Sequence, residues 1–311
     1  MKREGVFVSI LVTGGTGFVG KELVNQLILH GHIPYVVSRR NRLNASSSFI
    51  APPAKGELFP SEVIGKVSKV VNLAGESITA HRWNREVKEE IVNSRVSMTR
   101  CLVASIRRNR EQGLPYPKVL INASAVGYYG THPSQIFTEE NKCGNDFLSN
   151  VCQQWEGEAM QAQSLGVRVL CLRFGQILER DGGMLPRVAF PFHFGLGGYL
   201  GDGQQWISWI HRKEVIDIIR HALDHPNWQG IYNLTSPHAV TMEEFMEVLG
   251  KVIGSKSRMR MPNFIPRLFF GEMAEDLLLK GQHVFPKHLL AEEYTFQYPD
   301  LFETLSDIYH K

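Results

Sequence analysis

The chain has 311 residues, 43% of them hydrophobic and 21% charged, with a formal net charge of +3. That is enough apolar material for one large core and a smaller lobe, and the charge is too evenly balanced to point to nucleic acid. Cys101, Cys143, Cys152 and Cys171 form no C-x-x-C pair and no metal-like spacing with histidine, and no apolar run is long enough to span a bilayer. Residues 1–5 lead into a core strand rather than a removable signal, so a reduced, cytoplasmic protein with no membrane partner is expected.

The first element is an apolar run from Ile10, broken by glycines and followed from Lys21 to His30 by apolar residues at helical spacing. It reads as strand, turn, helix. Gly15, Gly17 and Gly20 satisfy G-x-G-x-x-G, and Gly14, Gly17 and Gly20 satisfy G-x-x-G-x-x-G. Such a turn lets backbone approach a pyrophosphate and aims the amides of a helix start at it. Gly14, Gly15, Thr16, Gly17, Phe18, Val19 and Gly20 are thus the expected dinucleotide cradle.

The second strand decides which dinucleotide. A free ribose 2′-hydroxyl is usually met by an acid about twenty residues after the glycines, whereas a 2′-phosphate needs cations. Here Pro34-Tyr-Val-Val is followed by Ser38, Arg39 and Arg40, with no acid. A hydroxyl and two guanidinium groups suit a phosphate, so NADP(H) is expected rather than NAD.

Residues 41–60 read as a loop holding a short, poor strand near Ser48, and residues 67–75 as a buried strand. A long helical pattern covers 84–109, a strand 118–124, a helix 147–165 closed by Gly166, and a strand 167–174. Repeated strand and crossover helix imply an α/β fold, a Rossmann-type doubly wound parallel sheet with ligands at the carboxyl ends of its strands. Gly75, Ser124 and Phe174 lie at such ends. Beyond Gly182 comes a segment with Phe190, Phe192 and Phe194, then an alternating piece carrying Trp206, Trp209 and His211. Those three could wall a pocket for a small, planar or apolar substrate, or form an ordinary aromatic core around a structural histidine. Thr241 and Glu244 form a capping box for a helix ending near Gly254; Pro262 and Pro266 punctuate a loop, and a helix to about Lys280 precedes a tail. The expected division is a nucleotide-binding domain over 1–180, joined again by 206–235, and a smaller, mainly helical substrate lobe made of 181–205 and 236–311.

Thr13-Gly-Gly-Thr-Gly-Phe-Val-Gly20, Asn72-Leu-Ala-Gly75, Ser124 before Tyr129-Gly130, and Gly201-Asp-Gly-Gln204 before Trp209-Ile-His211 resemble the extended short-chain dehydrogenase/reductase family. Val37-Ser-Arg39, Glu76, Arg82-Trp83, Ser94-Arg95 and the 204–211 run resemble its epimerase-like branch, often labelled cell-division-inhibitor-like, with a C-terminal domain of unknown function. The resemblance covers essentially the whole chain. It implies NADP contacts from Ser38, Arg39, Leu73, Ala74, Glu90, Arg95 and Ile177, with Gly75 beside them, and pocket roles for Glu76, Arg82, Trp83 and Lys88. Helices 85–109 and 147–165 are those through which relatives pair, so a monomer or a homodimer is expected.

The departure from that family is chemical. Its reactions use a Tyr as general acid/base with a Lys four residues later, and no tyrosine here has Lys at that spacing. Aligning the helix on Trp155-Glu156 puts Leu148 and Cys152 at those positions, which offer neither a phenolic proton nor a fixed cation. Ser124, Tyr128 and Tyr129 are then the candidate proton-handling groups, although the register could put Ala125 at the usual serine position. Two functions follow: an NADP-dependent, epimerase-like oxidoreductase on a small molecule with a rearranged acid/base set, or a non-catalytic NADP(H)-binding regulatory or assembly protein.

Overall fold

The computed structural model describes residues 8–39, 47–255, 259–261 and 280–310. Seven strands, β1 (Ser9–Thr13), β2 (Ile33–Val37), β3 (Ser48–Ile50), β4 (Lys69–Asn72), β5 (Val119–Ala125), β6 (Arg168–Phe174) and β7 (Gly230–Leu234), form one sheet in the order β7-β6-β5-β4-β1-β2-β3. Every pairing is parallel, and the order reverses between β1 and β4. That reversal opens a crevice at the carboxyl ends of the strands, where Gly14 follows β1 and Leu73 follows β4.

Alternation along the strands feeds two cores. Ile10 and Val12 of β1 face helices α1 (Gly20–Leu29) and α4 (Arg212–Asp224), meeting Leu23, Leu27, Val215 and Ile219. Leu11 points the other way, with Val70 and Leu120, towards Leu102 and Ile106 of α2 (Arg85–Glu111) and Ala159 of α3 (Phe147–Met160). Because both faces are covered, the strands are apolar on both sides rather than alternating with polar residues. α2 starts at Asn84, whose side chain accepts from the Val87 amide, and α3 at Asp146, which accepts from the Ser149 amide.

A third core, with Trp209, Phe245, Leu249 and Leu305, belongs to the smaller lobe and its helices α5 (Met242–Val252) and α6 (Leu301–His310). Thr241 caps α5 through the Glu244 amide, as the capping box requires.

Three expectations need correction. Residues 283–298 do not stay in the smaller lobe: His283–Val284 pairs with Ile136–Phe137, and Leu289 is buried in the core over the main sheet. The buried Glu214 carboxylate fastens this stretch by accepting from Tyr294 Oη and the amides of Gln297 and Tyr298. The helix expected over 147–165 is α-helical only to Met160 and ends in a 3-10 turn, Gln161–Leu165. The alternating piece around Trp206 is two strands, Trp206–Ile207 against Val240–Thr241 and Trp209–His211 beside Gln176–Glu179. Pro262, Pro266 and most of the helix expected before Lys280 lie outside the described residues. Among the described residues, no helix is long and apolar enough to cross a membrane, and no group of three His, Cys, Asp or Glu could hold a metal.

Candidate cofactor site

The turn after β1 is shaped by what its glycines lack. Gly14 has φ +65°, and a Cβ there would sit 2.5 Å from the Leu73 carbonyl oxygen; a Cβ on Gly20 would sit 2.2 Å from the Gly14 carbonyl oxygen. Both contacts are with backbone, so neither can be relieved by a side-chain rotation. Gly17 donates its N–H to Gly14 O at 2.9 Å, and Gly15 packs against Val36. Gly14, with its positive φ and backbone contact, takes the first place of the Gly14, Gly17, Gly20 spacing, while Gly15 is kept small by Val36 Cγ1, which a Cβ would meet at 2.6 Å. Helix α1 begins at Gly20 without a side-chain cap, which leaves its positive end open to an anion, and this glycine cradle fits a pyrophosphate. Thr16 is exposed at the tip of the turn, and Val19 packs on the sheet core. Phe18 lies against Gly182, with the Arg212 guanidinium 5.0 Å from its ring centroid, so it fastens the turn to the neighbouring hairpin.

At the end of β2, the Ser38 amide donates to Ile50 O, and Arg39 reaches across the crevice to place Nη2 2.8 Å from Glu76 Oε1. Arg40 lies outside the described residues. After β4, Ala74 N–H donates to Thr13 Oγ1, Glu76 N–H donates to Ser94 Oγ, and Arg95 Nη2 donates to the Glu76 carbonyl at 2.9 Å. A Cβ on Gly75 would be 3.0 Å from Arg95 Cζ, so the guanidinium lies flat against that loop; burial lowers its pKa. Glu90 is exposed on α2, and Ile177 is half-buried opposite Ile210.

Beneath the crevice is a buried polar network absent from the sequence expectations. Thr13 Oγ1 donates to Asn72 Oδ1, Asn72 Nδ2 lies 2.6 Å from Asn122 Oδ1 and 2.8 Å from Thr99 Oγ1, and Trp155 Nε1 donates to Thr99 Oγ1. Asn72 and Asn122 are register partners on adjacent strands. An Asn near the end of each of two apolar runs was the available signal. Such a fully satisfied network fixes the strand ends that carry the turn and the Leu73 loop.

At the ends of β5 and β6 a second buried network holds two of the candidate proton groups. Ser124 Oγ donates to Glu156 Oε1 at 2.6 Å, Arg173 grips both oxygens of Glu156, and Arg173 Nη1 donates to Tyr129 Oη, which donates to Asn233 Oδ1 at 2.7 Å. Burial pushes the Tyr129 phenol up to about 12. Tyr128 is half-buried, with Arg173 Cζ 3.4 Å from its ring centroid, and burial raises its pKa as well. Glu156, Arg173 and Asn233 were not anticipated; a polar or charged residue inside an apolar helix or strand run was the available sign of each.

Leu148 packs in the apolar cluster of Trp83, Ile91 and Val151, and a Cβ on Gly127 would touch it at 3.5 Å. The Cys152 thiol is buried and pushed up to about 12 by burial and by the Glu156 charge. Positions 148 and 152, where the resemblance implies a phenol and an ammonium, hold a hydrocarbon and a protonated thiol.

Of the expected pocket residues, Trp83 and Lys88 line one open cavity, and Trp206, Trp209 and His211 are not among its lining residues. Trp209 is fully buried, with Nε1 donating to His238 O, and Trp206 donates to Pro133 O while lying against His283. Buried His211 accepts from the Lys213 amide at the start of α4 and stacks on Tyr298 at 4.2 Å. Trp209 belongs to the core of the smaller lobe, the polar atom named on each of the three meets backbone, and His211 Nε2 lies 3.6 Å from Asp307 Oδ2. Arg82 is exposed. Trp83 meets Phe147 edge-on at 5.3 Å, with Lys88 Nζ over both rings, beside an open cavity of about 520 Å³ between the first turns of α2 and α3. Arg187 of the smaller lobe donates to Thr79 Oγ1 at 2.7 Å, tying that lobe to the loop after β4.

Comparison with known proteins agrees with this geometry. Residues 10–235 match the model of the NAD dependent epimerase/dehydratase family, and residues 261–308 match a domain of unknown function, DUF1731. The chain is 37% identical to the epimerase family protein SDR39U1 homolog, chloroplastic, of Arabidopsis thaliana, covering 97% of this chain and 86% of that one. It is 34% identical to the epimerase family protein YfhF of Bacillus subtilis, covering 97% and 98%. The crystal structure of human epimerase family protein SDR39U1 (isoform 2) with NADPH superposes with a TM-score of 0.84 at 29% identity, covering 98% of this chain and 100% of that one.

Proposed function

The chain belongs to the NAD dependent epimerase/dehydratase family, and we propose that it is an NADP(H)-binding, epimerase-like oxidoreductase acting on a small molecule. The observation that carries this reading is the pairing of the Gly14–Gly17–Gly20 cradle with Arg39, in place of an acid, at the end of β2. The NADPH bound by the human relative supports it.

In this reading Gly14, Gly17 and Gly20 admit the pyrophosphate, Ser38 and Arg39 take the 2′-phosphate, and Leu73, Ala74 and Gly75 form the facing wall, braced by Arg95. The cofactor would supply a hydride. Ser124 and Tyr129 direct their hydroxyl protons to Glu156 and Asn233, which makes Tyr128, beside Arg173, the proton source to test first. General acid catalysis contributes roughly a hundredfold to ten-thousandfold, so this site works slowly unless substrate brings Tyr128 into reach. Leu148 and Cys152 favour a second reading, in which NADP(H) is bound without turnover.

The deciding experiment is single-turnover oxidation of bound NADPH against carbonyl compounds and nucleotide sugars, with wild type, Tyr128→Phe, Tyr129→Phe and Cys152→Ala. Oxidation lost in Tyr128→Phe and kept in Cys152→Ala supports the oxidoreductase. No oxidation with any substrate supports the binding protein.

A further inference from the structure

We propose that Glu76 sets how strongly this site prefers a 2′-phosphorylated cofactor, by opposing the phosphate at Arg39; the inference rests on the cofactor reading above and deepens it. An acid at the end of the second strand would receive a 2′-hydroxyl, and β2 has none. The fold nevertheless delivers a carboxylate there from a different loop. Glu76 leaves the end of β4, and its Oε1 lies 2.8 Å from Arg39 Nη2.

Glu76 is anchored at both sides of its backbone, with its N–H on Ser94 Oγ at 3.1 Å and its carbonyl receiving Arg95 Nη2 at 2.9 Å. Its carboxylate also acts on Arg95, whose guanidinium it stabilises in the charged form. The side chain thus swings from a fixed point between two cations. The Arg39 side chain is 79% exposed against 38% for Glu76, so the arginine is the partner more open to an incoming group.

A phosphate that takes Arg39 must displace this carboxylate or sit beside it. A phosphate monoester carries nearly two negative charges, and like charges a few ångströms apart repel even in water. A 2′-hydroxyl meets no such conflict, because a carboxylate can accept its proton in a hydrogen bond. Arg39 therefore favours the phosphorylated cofactor while Glu76 disfavours it, and discrimination is the difference between the two.

The probes are 2′,5′-ADP and 5′-AMP, which differ only in the group that Arg39 and Glu76 would read. Titrated into full-length wild type, Glu76→Gln and Arg39→Ala, 2′,5′-ADP is expected to bind about three- to tenfold tighter to Glu76→Gln than to wild type, while 5′-AMP changes by less than about twofold. Arg39→Ala is expected to lose the preference for 2′,5′-ADP. Unchanged or weaker 2′,5′-ADP binding by Glu76→Gln overturns the role of Glu76, while a wild-type preference for 2′,5′-ADP keeps the cofactor reading. A wild type that binds both probes equally overturns the cofactor reading, and the role of Glu76 falls with it when Glu76→Gln also binds them equally.

Discussion

Arg173 grips Glu156 with two parallel hydrogen bonds, Nε to Oε1 at 2.8 Å and Nη2 to Oε2 at 2.7 Å, and their side chains are only 3% and 8% exposed. The pair joins β6 to α3 and orients Ser124 on one side and Tyr129 on the other. Arg173→Leu would leave a buried carboxylate with no counter-charge, which costs about 3–5 kcal/mol. Urea unfolding of that variant should show a loss of this size. A loss below about 1 kcal/mol, the range of exposed pairs, would mean that the pair is hydrated and does not fix the site.

The glycines separate fold from binding. In Gly17→Ala the new Cβ would sit 3.2 Å from Gly14 O, a distance that a small shift relieves, whereas in Gly20→Ala it would sit at 2.2 Å. Gly17→Ala is thus expected to keep its circular dichroism spectrum and melting temperature near wild type while dinucleotide affinity falls about tenfold or more, since the turn shifts where a pyrophosphate must approach. Gly20→Ala is expected to lose stability as well. Full NADPH affinity in Gly17→Ala would remove the cradle from the account.

Cys152 is expected to be chemically silent. Burial holds its thiol near 12 against an ordinary 9.0, so a thiol reagent at pH 8 should label it only after unfolding. The folded chain keeps this proton longer than the unfolded chain does. Its contribution to stability is therefore constant below pH 9 and falls as pH rises from 9.0 towards about 12. Cys152→Ala should flatten that alkaline slope. Rapid labelling of Cys152 in the native protein, located by mass spectrometry, would contradict the buried placement.

Tyr128 and Tyr129 should respond differently to loss of the hydroxyl. Tyr129→Phe leaves Arg173 Nη1 and Asn233 Oδ1 without their partner, and an unsatisfied buried group costs about 1–3 kcal/mol. Tyr128→Phe is expected to change stability by less than about 0.5 kcal/mol, because its half-buried ring keeps the stack on Arg173. Equal destabilisation by the two would show that the hydroxyls have interchangeable roles.

The sheet and the turn at its carboxyl edge were legible because parallel strands are long apolar runs and the glycine turn has a fixed spacing. That spacing admitted two choices, and the positive φ of Gly14, with its close approach to the Leu73 carbonyl, selects Gly14 as the first of the three. For Trp206, Trp209 and His211 the sequence left both a pocket wall and an ordinary aromatic core open. Alternation along a strand says which residues share a face, and it carries no information about what covers that face; here the cover is His283, His238 and Tyr298 from far along the chain. Glu156, Arg173 and Asn233 escaped for a related reason, since each comes from a different element and only the folded sheet brings them together.

The most direct test is equilibrium titration of the full-length protein with NADPH and with NADH at one ionic strength, repeated with Arg39→Ala. A charge-assisted hydrogen bond contributes on the order of 1.5–3 kcal/mol, so wild type should bind NADPH at least about tenfold tighter than NADH, and Arg39→Ala should erase most of that difference. Equal affinities in wild type, or an Arg39→Ala variant that keeps the preference, would contradict the account.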